Sequence, residues 1–191
     1  MNNLIYPTYF PNIAHFWAIV NSDFICFEIY GANGKLALTV PVSYSQKNRQ
    51  LYKDVKIAND ESWQLQHLKS LQSAYSMSPF FEFYIDDLMP LFENHYDYIL
   101  DFNLKCYDLL SDSLQLNRTS KHTSIFEIKP SENKDFRHLV KRNSKVQSFQ
   151  PYTQVFTEKH GFISNLSILD LLFNEGPNAE LYLKRQEIEI I

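Results

Sequence analysis

The stretch YTQVFTEKHGFISNLSILDLLFNEGP, Tyr152 to Pro177, constrains the fold more than any other part of the chain. A β-like run leads through a turn marked by Gly161 into a short, strongly apolar helix, and a helix without a polar face belongs at the centre of a fold. Asn165, Ser167 and Asp170 place polar groups among these apolar neighbours. Ser167 with an acid three positions on, ahead of Leu171-Leu172-Phe173, has the layout of a capping box, with Asp170 where Glu or Gln is usual. Gly176-Pro177 supplies the stop.

One domain, residues 1–191, is expected, because this length suits a single core and no linker-like stretch divides it. With 45% hydrophobic and 15% aromatic residues, the chain can bury enough apolar surface to offset ordering entropy without metal or disulfide support. A net charge of -4 argues against general nucleic-acid or membrane-surface binding, which usually needs net positive charge. Cys26 and Cys106 are too few for a disulfide framework and sit in apolar surroundings, so both are expected as free thiols. The opening residues lack the basic and apolar segments of a secretory signal, and no run approaches membrane-spanning length; a cytoplasmic location is expected.

Along the chain, Leu4 to Tyr6 reads as a short strand and Asn12 to Val20 as a helix, with His15 off its apolar stripe. Phe24 to Tyr30 and Leu36 to Val42 read as strands joined at Gly31 to Lys35, where Asn33-Gly34 is a hairpin signal because both residues tolerate positive φ. That turn lacks the spacing of a phosphate loop. Ser43 to Arg49 is expected as an exposed loop and Val55 to Ala58 as a strand. Helices are expected over Ser62 to Tyr75, capped by Ser62 or Asp60, over the segment led by Phe80 to Tyr84, over His95 to Leu116 and over Asn178 to Arg185. Asp86, Asp87, Glu93, Asp97 and Asp101 do not converge at ligand spacing and read as a solvated face. A strand at Ser124 to Ile128 precedes Lys134, Arg137, Lys141, Arg142 and Lys145 on a short helix and its tail, a basic surface or a holder of phosphate groups. The final Glu-Ile alternation reads as a short strand or a frayed tail. The sum is an α/β or α+β fold: a small mixed sheet from the first third and the region Thr153 to Phe156, covered by several helices.

Four blocks, PTYFPNIAHF, GKLALTVPV, VKIANDESWQLQHLKSLQSAYSMSPFFEFY and the Tyr152 to Pro177 stretch, follow one another in an order that resembles the WbqC-like protein family, in particular its shorter branch in Bacteroidetes-type bacteria. The resemblance implies a part in surface-polysaccharide synthesis, O-antigen above all. Carried over by position, its polar residues are Tyr9, Trp63, His67, Ser73, Tyr75, Gln154, Asn165, Ser167, Asp170 and Asn174. The chain departs from the pattern after Glu28, where family members carry a segment resembling HxxYxKQTYRNR; it is either a shortened, inactive member or a sequence lacking a mobile loop. His15 also stands where the pattern has an aromatic residue.

No GxGxxG, P-loop, GxSxG or CxxC pattern occurs. Redox chemistry on a nucleotide cofactor, ATP hydrolysis and the common hydrolase layouts therefore gain no support, and neither a cofactor nor a metal is expected. Two functions remain. One is a group transferase acting on an amino-sugar nucleotide or a carrier-bound acyl or aminoacyl donor. His67 would be its general base, because the ordinary imidazole pKa suits proton removal near neutral pH. Ser167 and Asp170 are the other catalytic candidates, although one helical turn between them suits capping better than a triad. Tyr9, Trp63, Tyr75, Gln154, Asn165 and Asn174 would bind substrate. The other function is a non-catalytic sugar- or partner-binding protein of the same pathway, which the missing Arg/Asn-rich segment favours.

Overall fold

The computed structural model describes residues 3–4, 7–13, 26–43, 50–116, 134–135 and 148–186. The strands come in three pairs rather than one mixed sheet. β1 (Asn3–Leu4) runs parallel to β6 (Lys134–Asp135), β2 (Cys26–Gly31) antiparallel to β3 (Gly34–Thr39), and β4 (Val42–Ser43) antiparallel to β5 (Lys56–Ile57). In the β2–β3 hairpin Gly31 faces Gly34, and the positive φ the turn requires falls on Gly34 at 101°; Asn33 does not share it.

Helices supply most of the remaining described structure. α1 (Trp63–Tyr75) buries Trp63, His67, Leu71, Ala74 and Tyr75. α2 (Phe81–Glu93) buries Phe81, Tyr84, Leu88, Leu91 and Phe92, and α3 (Ile99–Ser113) buries Ile99, Phe102, Cys106 and Leu110 with close neighbours. Each set recurs at three- and four-residue steps, so each helix turns one stripe inward. α1 packs on α2 and on β2, and α2 packs on α3. Ser62 sits at the N-terminus of α1 without a side-chain capping bond. Cys106 is a buried free thiol. α4 is a single turn, Thr157–His160, followed by α5 (Ile168–Glu175) and α6 (Ala179–Arg185).

α5 is the centre the sequence indicates. Every residue from Ile168 to Asn174 is buried, so the helix has no solvent face, and it packs on β2, α2 and α6. The chain start is stitched to its entry: Ile13 N donates to Leu166 O at 3.0 Å, Ile168 N to Pro11 O at 2.8 Å, and Ser167 N to Glu28 O at 2.9 Å. Pro11, Ile13 and Glu28 therefore meet the Leu166 to Ile168 segment, which lies far from them along the chain. Gly176, at φ 53°, ends α5.

The class is as expected, helices with small sheets and, among the described residues, no barrel. Among the local expectations that fail, α3 begins at Ile99 rather than His95, Ser62 makes no side-chain capping bond, and two further segments differ. Thr153 to Phe156 joins no sheet. Thr157 Oγ1 donates to Gln154 O at 2.9 Å and accepts from Gln154 N at 3.1 Å, so a local turn consumes the backbone groups that a ladder would need. Lys134 lies in β6, not in a short helix, because pairing with Asn3–Leu4 outweighs local preference. The expected helix beyond Ile13, His15, the 44–49 loop, the strand at 124–128, Arg137, Lys141, Arg142, Lys145 and the last five residues lie outside the described residues.

Candidate functional site

The sequence-selected residues gather into two clusters along α1. The first is aromatic. Tyr9, fully buried, places its hydroxyl 3.1 Å from His67 Nδ1, and its ring meets those of Trp63, His67 and Phe102. His67 is 5% exposed. Burial pushes its pKa down to about 4, against a smaller opposing effect of a hydrogen bond with the Thr39 backbone. At neutral pH the ring is uncharged and a weaker base than an ordinary histidine, which removes the reason for choosing it as a base matched to pH 7.

The second cluster surrounds Asp170, which is 0% exposed. Tyr75 OH donates to Oδ1 at 2.9 Å, Gln154 Nε2 to Oδ2 at 2.8 Å, and Tyr152 OH makes a short bond to Oδ2. No cation balances the carboxylate among these contacts. Burial raises the Asp170 pKa despite the three donors, and the same burial, with Asp170 beside them, raises Tyr75 and Tyr152 well above the usual phenol value. The donors are themselves fixed. Tyr75 OH accepts from Tyr30 N at 3.1 Å, and the Gln154 amide exchanges two bonds with the Ile163 backbone, at 2.9 and 3.0 Å. Asp170 thus ties α1, the segment before α4 and, through Tyr30, the hairpin to α5.

The remaining residues have local roles. Ser167 Oγ accepts from Leu169 N at 3.3 Å and donates to Phe10 O at 3.2 Å, so it caps α5. The capping box is not reciprocal: the Ser167 N–H already donates to Glu28 O, and the Asp170 side chain turns to the tyrosines. Asn165 adopts φ 59°, a left-handed conformation that Asn tolerates well. Asn174 Nδ2 donates to Asp170 O at 2.7 Å, one turn back along α5. Ser73 is exposed on the outer side of α1.

His67 and Tyr75 are eight residues apart on α1, so their backbone positions are about 12 Å apart along the axis. The hydrogen bonds of Ser167 and Asp170 run to Phe10, Leu169, Tyr75, Tyr152 and Gln154, and His67 is not among these partners. Tyr152 and Tyr30 were missed from sequence. Tyr152 was detectable in principle, since residues two apart in extended chain point the same way and it stands two before Gln154. Among the described residues no group of three or more His, Cys, Asp and Glu could hold a metal ion, and no helix is long and apolar enough to cross a membrane.

Comparison with known protein families matches residues 27–148, more than half of the chain, to the WbqC-like protein family. The chain belongs to the WbqC-like protein family. No curated protein and no solved structure matches it. The matched WbqC-like segment holds the hairpin, α1, α2 and α3, and with them Trp63, His67, Ser73 and Tyr75. Tyr9, Gln154, Asn165, Ser167, Asp170 and Asn174 of this WbqC-like chain lie outside it.

Two outcomes follow from this geometry. Ser167→Ala should cost about 1 kcal/mol of stability, the usual worth of a cap, measured by urea unfolding. For His67 the sign is set by its lowered pKa: between pH 6.5 and pH 4 the unfolded chain binds the extra proton, so the stability of keeping the ring neutral is present above pH 6.5 and lost as pH falls toward 4. The wild type's margin over His67→Gln should therefore shrink by roughly 2 kcal/mol between pH 7 and pH 4.5, allowing for partial screening. A constant margin would mean that the ring titrates normally.

Proposed function

We propose that this WbqC-like chain serves surface-polysaccharide assembly of the O-antigen type as a binding protein, a single cytoplasmic domain that takes a sugar nucleotide, a carrier-bound donor or a partner without turning it over. The pathway rests on the family. The binding role rests on one observation: the hydrogen-bonding groups of Ser167, Asp170 and Gln154 are spent on the protein itself. The test is incubation of the purified chain with sugar nucleotides and carrier-bound acyl or aminoacyl donors, followed by thermal shift and mass spectrometry. A ligand-dependent rise in Tm without product supports the reading; a new covalent product overturns it.

The second reading is a group transferase on an amino-sugar nucleotide or a carrier-bound acyl or aminoacyl donor. What favours it is the neutral His67 imidazole beside the Tyr9 hydroxyl, an arrangement compatible with proton transfer. If product forms, full turnover by His67→Ala removes His67 from the chemistry.

A further inference from the structure

We propose that the groove between the β2–β3 turn and the outer side of α1 binds the phosphate ester of a single sugar. The assignment rests on the binding reading above and goes beyond it, giving it a place and a smaller ligand than the sugar nucleotide or carrier-bound donor named there. The groove is open to solvent and offers about 250 Å³, below the roughly 300–1,000 Å³ of pockets for drug-sized ligands. One sugar ring with its phosphate suits that space better than a nucleotide sugar.

The lining matches such a ligand. Lys69, Ser70 and Ser73 come from α1, and Gly31, Ala32 and Leu36 from the hairpin. Lys69 makes no ion pair and the Ser73 hydroxyl no hydrogen bond among the described residues, so a cation and a hydroxyl are left to a ligand on one helical wall. Ser70 Oγ donates to Gln66 O at 2.8 Å, which leaves its lone pairs for a sugar hydroxyl. Leu36 is 40% exposed and offers an apolar surface to a ring face.

The opposite wall is held in place. Lys159 Nζ and His160 Nε2 both donate to Ala32 O, at 2.5 and 3.1 Å, which fixes the turn. Glu28, the only acid in the hairpin, is neutralised by Lys35 at 2.9 Å. Local attraction for an anion can therefore exist on a chain whose net charge is -4. The whole lining falls within the segment matched to the family.

Amide NMR of the full chain titrated with a hexose 1-phosphate, and separately with inorganic phosphate, tests the assignment. The sugar phosphate should move the Gly31, Ala32, Lys69, Ser70 and Ser73 amides and bind more tightly than phosphate. Lys69→Glu should weaken it about tenfold and Ser73→Ala a few-fold, with circular dichroism unchanged because both side chains are exposed. Unmoved amides at millimolar ligand, equal binding of inorganic phosphate, or full affinity in Lys69→Glu overturns the assignment. Shifts confined to other residues remove this groove while leaving the binding reading standing, whereas product formation in the donor assay removes that reading whatever the groove holds.

Discussion

Asp170→Ala is expected to lower the free energy of unfolding by about 3–5 kcal/mol, because it leaves three buried neutral donors without their acceptor at roughly 1–3 kcal/mol each before relaxation. The expectation follows from what the variant leaves behind. The Tyr75 and Tyr152 hydroxyls and the Gln154 amide are buried and all three donate to this one carboxylate. An unsatisfied buried donor costs about 1–3 kcal/mol, and Asp170 lies at a position 0% exposed to bulk solvent. Asp170→Asn should lose less, about 1–3 kcal/mol, because one acceptor oxygen survives while the new NH2 group faces a donor. Urea unfolding at pH 7 measures both. A loss below about 1 kcal/mol for Asp170→Ala would show that the network does not support the fold.

pH offers a second view of the same group. The folded pKa of Asp170 is raised, so above the ordinary carboxylate value the folded state holds a proton that the unfolded state has released. Its contribution to stability therefore declines as pH rises from about 4 toward the folded pKa, opposite in sign to that of His67. Asp170→Asn should remove this decline.

Gly176→Ala should destabilise the chain by about 2–4 kcal/mol, combining left-handed backbone strain with overpacking. Gly176 has φ 53°, and a Cβ there would lie 2.6 Å from Cδ1 and Cγ of the Phe80 ring. That ring cannot simply retreat, because Phe80 N donates to Phe173 O at 3.0 Å and α2 begins at the next residue. In the Phe80→Ala background the same substitution should retain only the backbone part, about 1 kcal/mol. A double-mutant cycle by thermal unfolding reads the difference, and equal costs in both backgrounds would reject the steric contact.

What could be read from the sequence was local. The apolar run Ile168 to Phe173 announced a central helix, Ser167 its cap and Gly176 its end, since each depends on neighbours within a turn. The stripes of α1, α2 and α3 and the hairpin at Gly34 are legible for the same reason. Tyr152 could not be linked to Asp170, or Tyr30 to Tyr75, because those bonds span 18 and 45 residues. Thr153 to Phe156 has the composition of a strand, but Thr157, just beyond it, takes its hydrogen bonds. His67 stands one turn after Trp63 on the same helix, so its place on the buried side of α1 follows from spacing alone. Tyr9, however, comes from a stretch 58 residues distant, so the full burial that lowers the His67 pKa was invisible.

The account stands on the stitching of the chain start to α5. Native-state hydrogen exchange of the Ile13, Ser167 and Ile168 amides, compared with Leu171 and Leu172 inside the helix, measures it directly. The expected result is that all five exchange only through global unfolding, with one shared opening free energy. Exchange of Ile13, Ser167 and Ile168 orders of magnitude faster than Leu171 and Leu172 would show that the two ends part while α5 stays folded, and would contradict it.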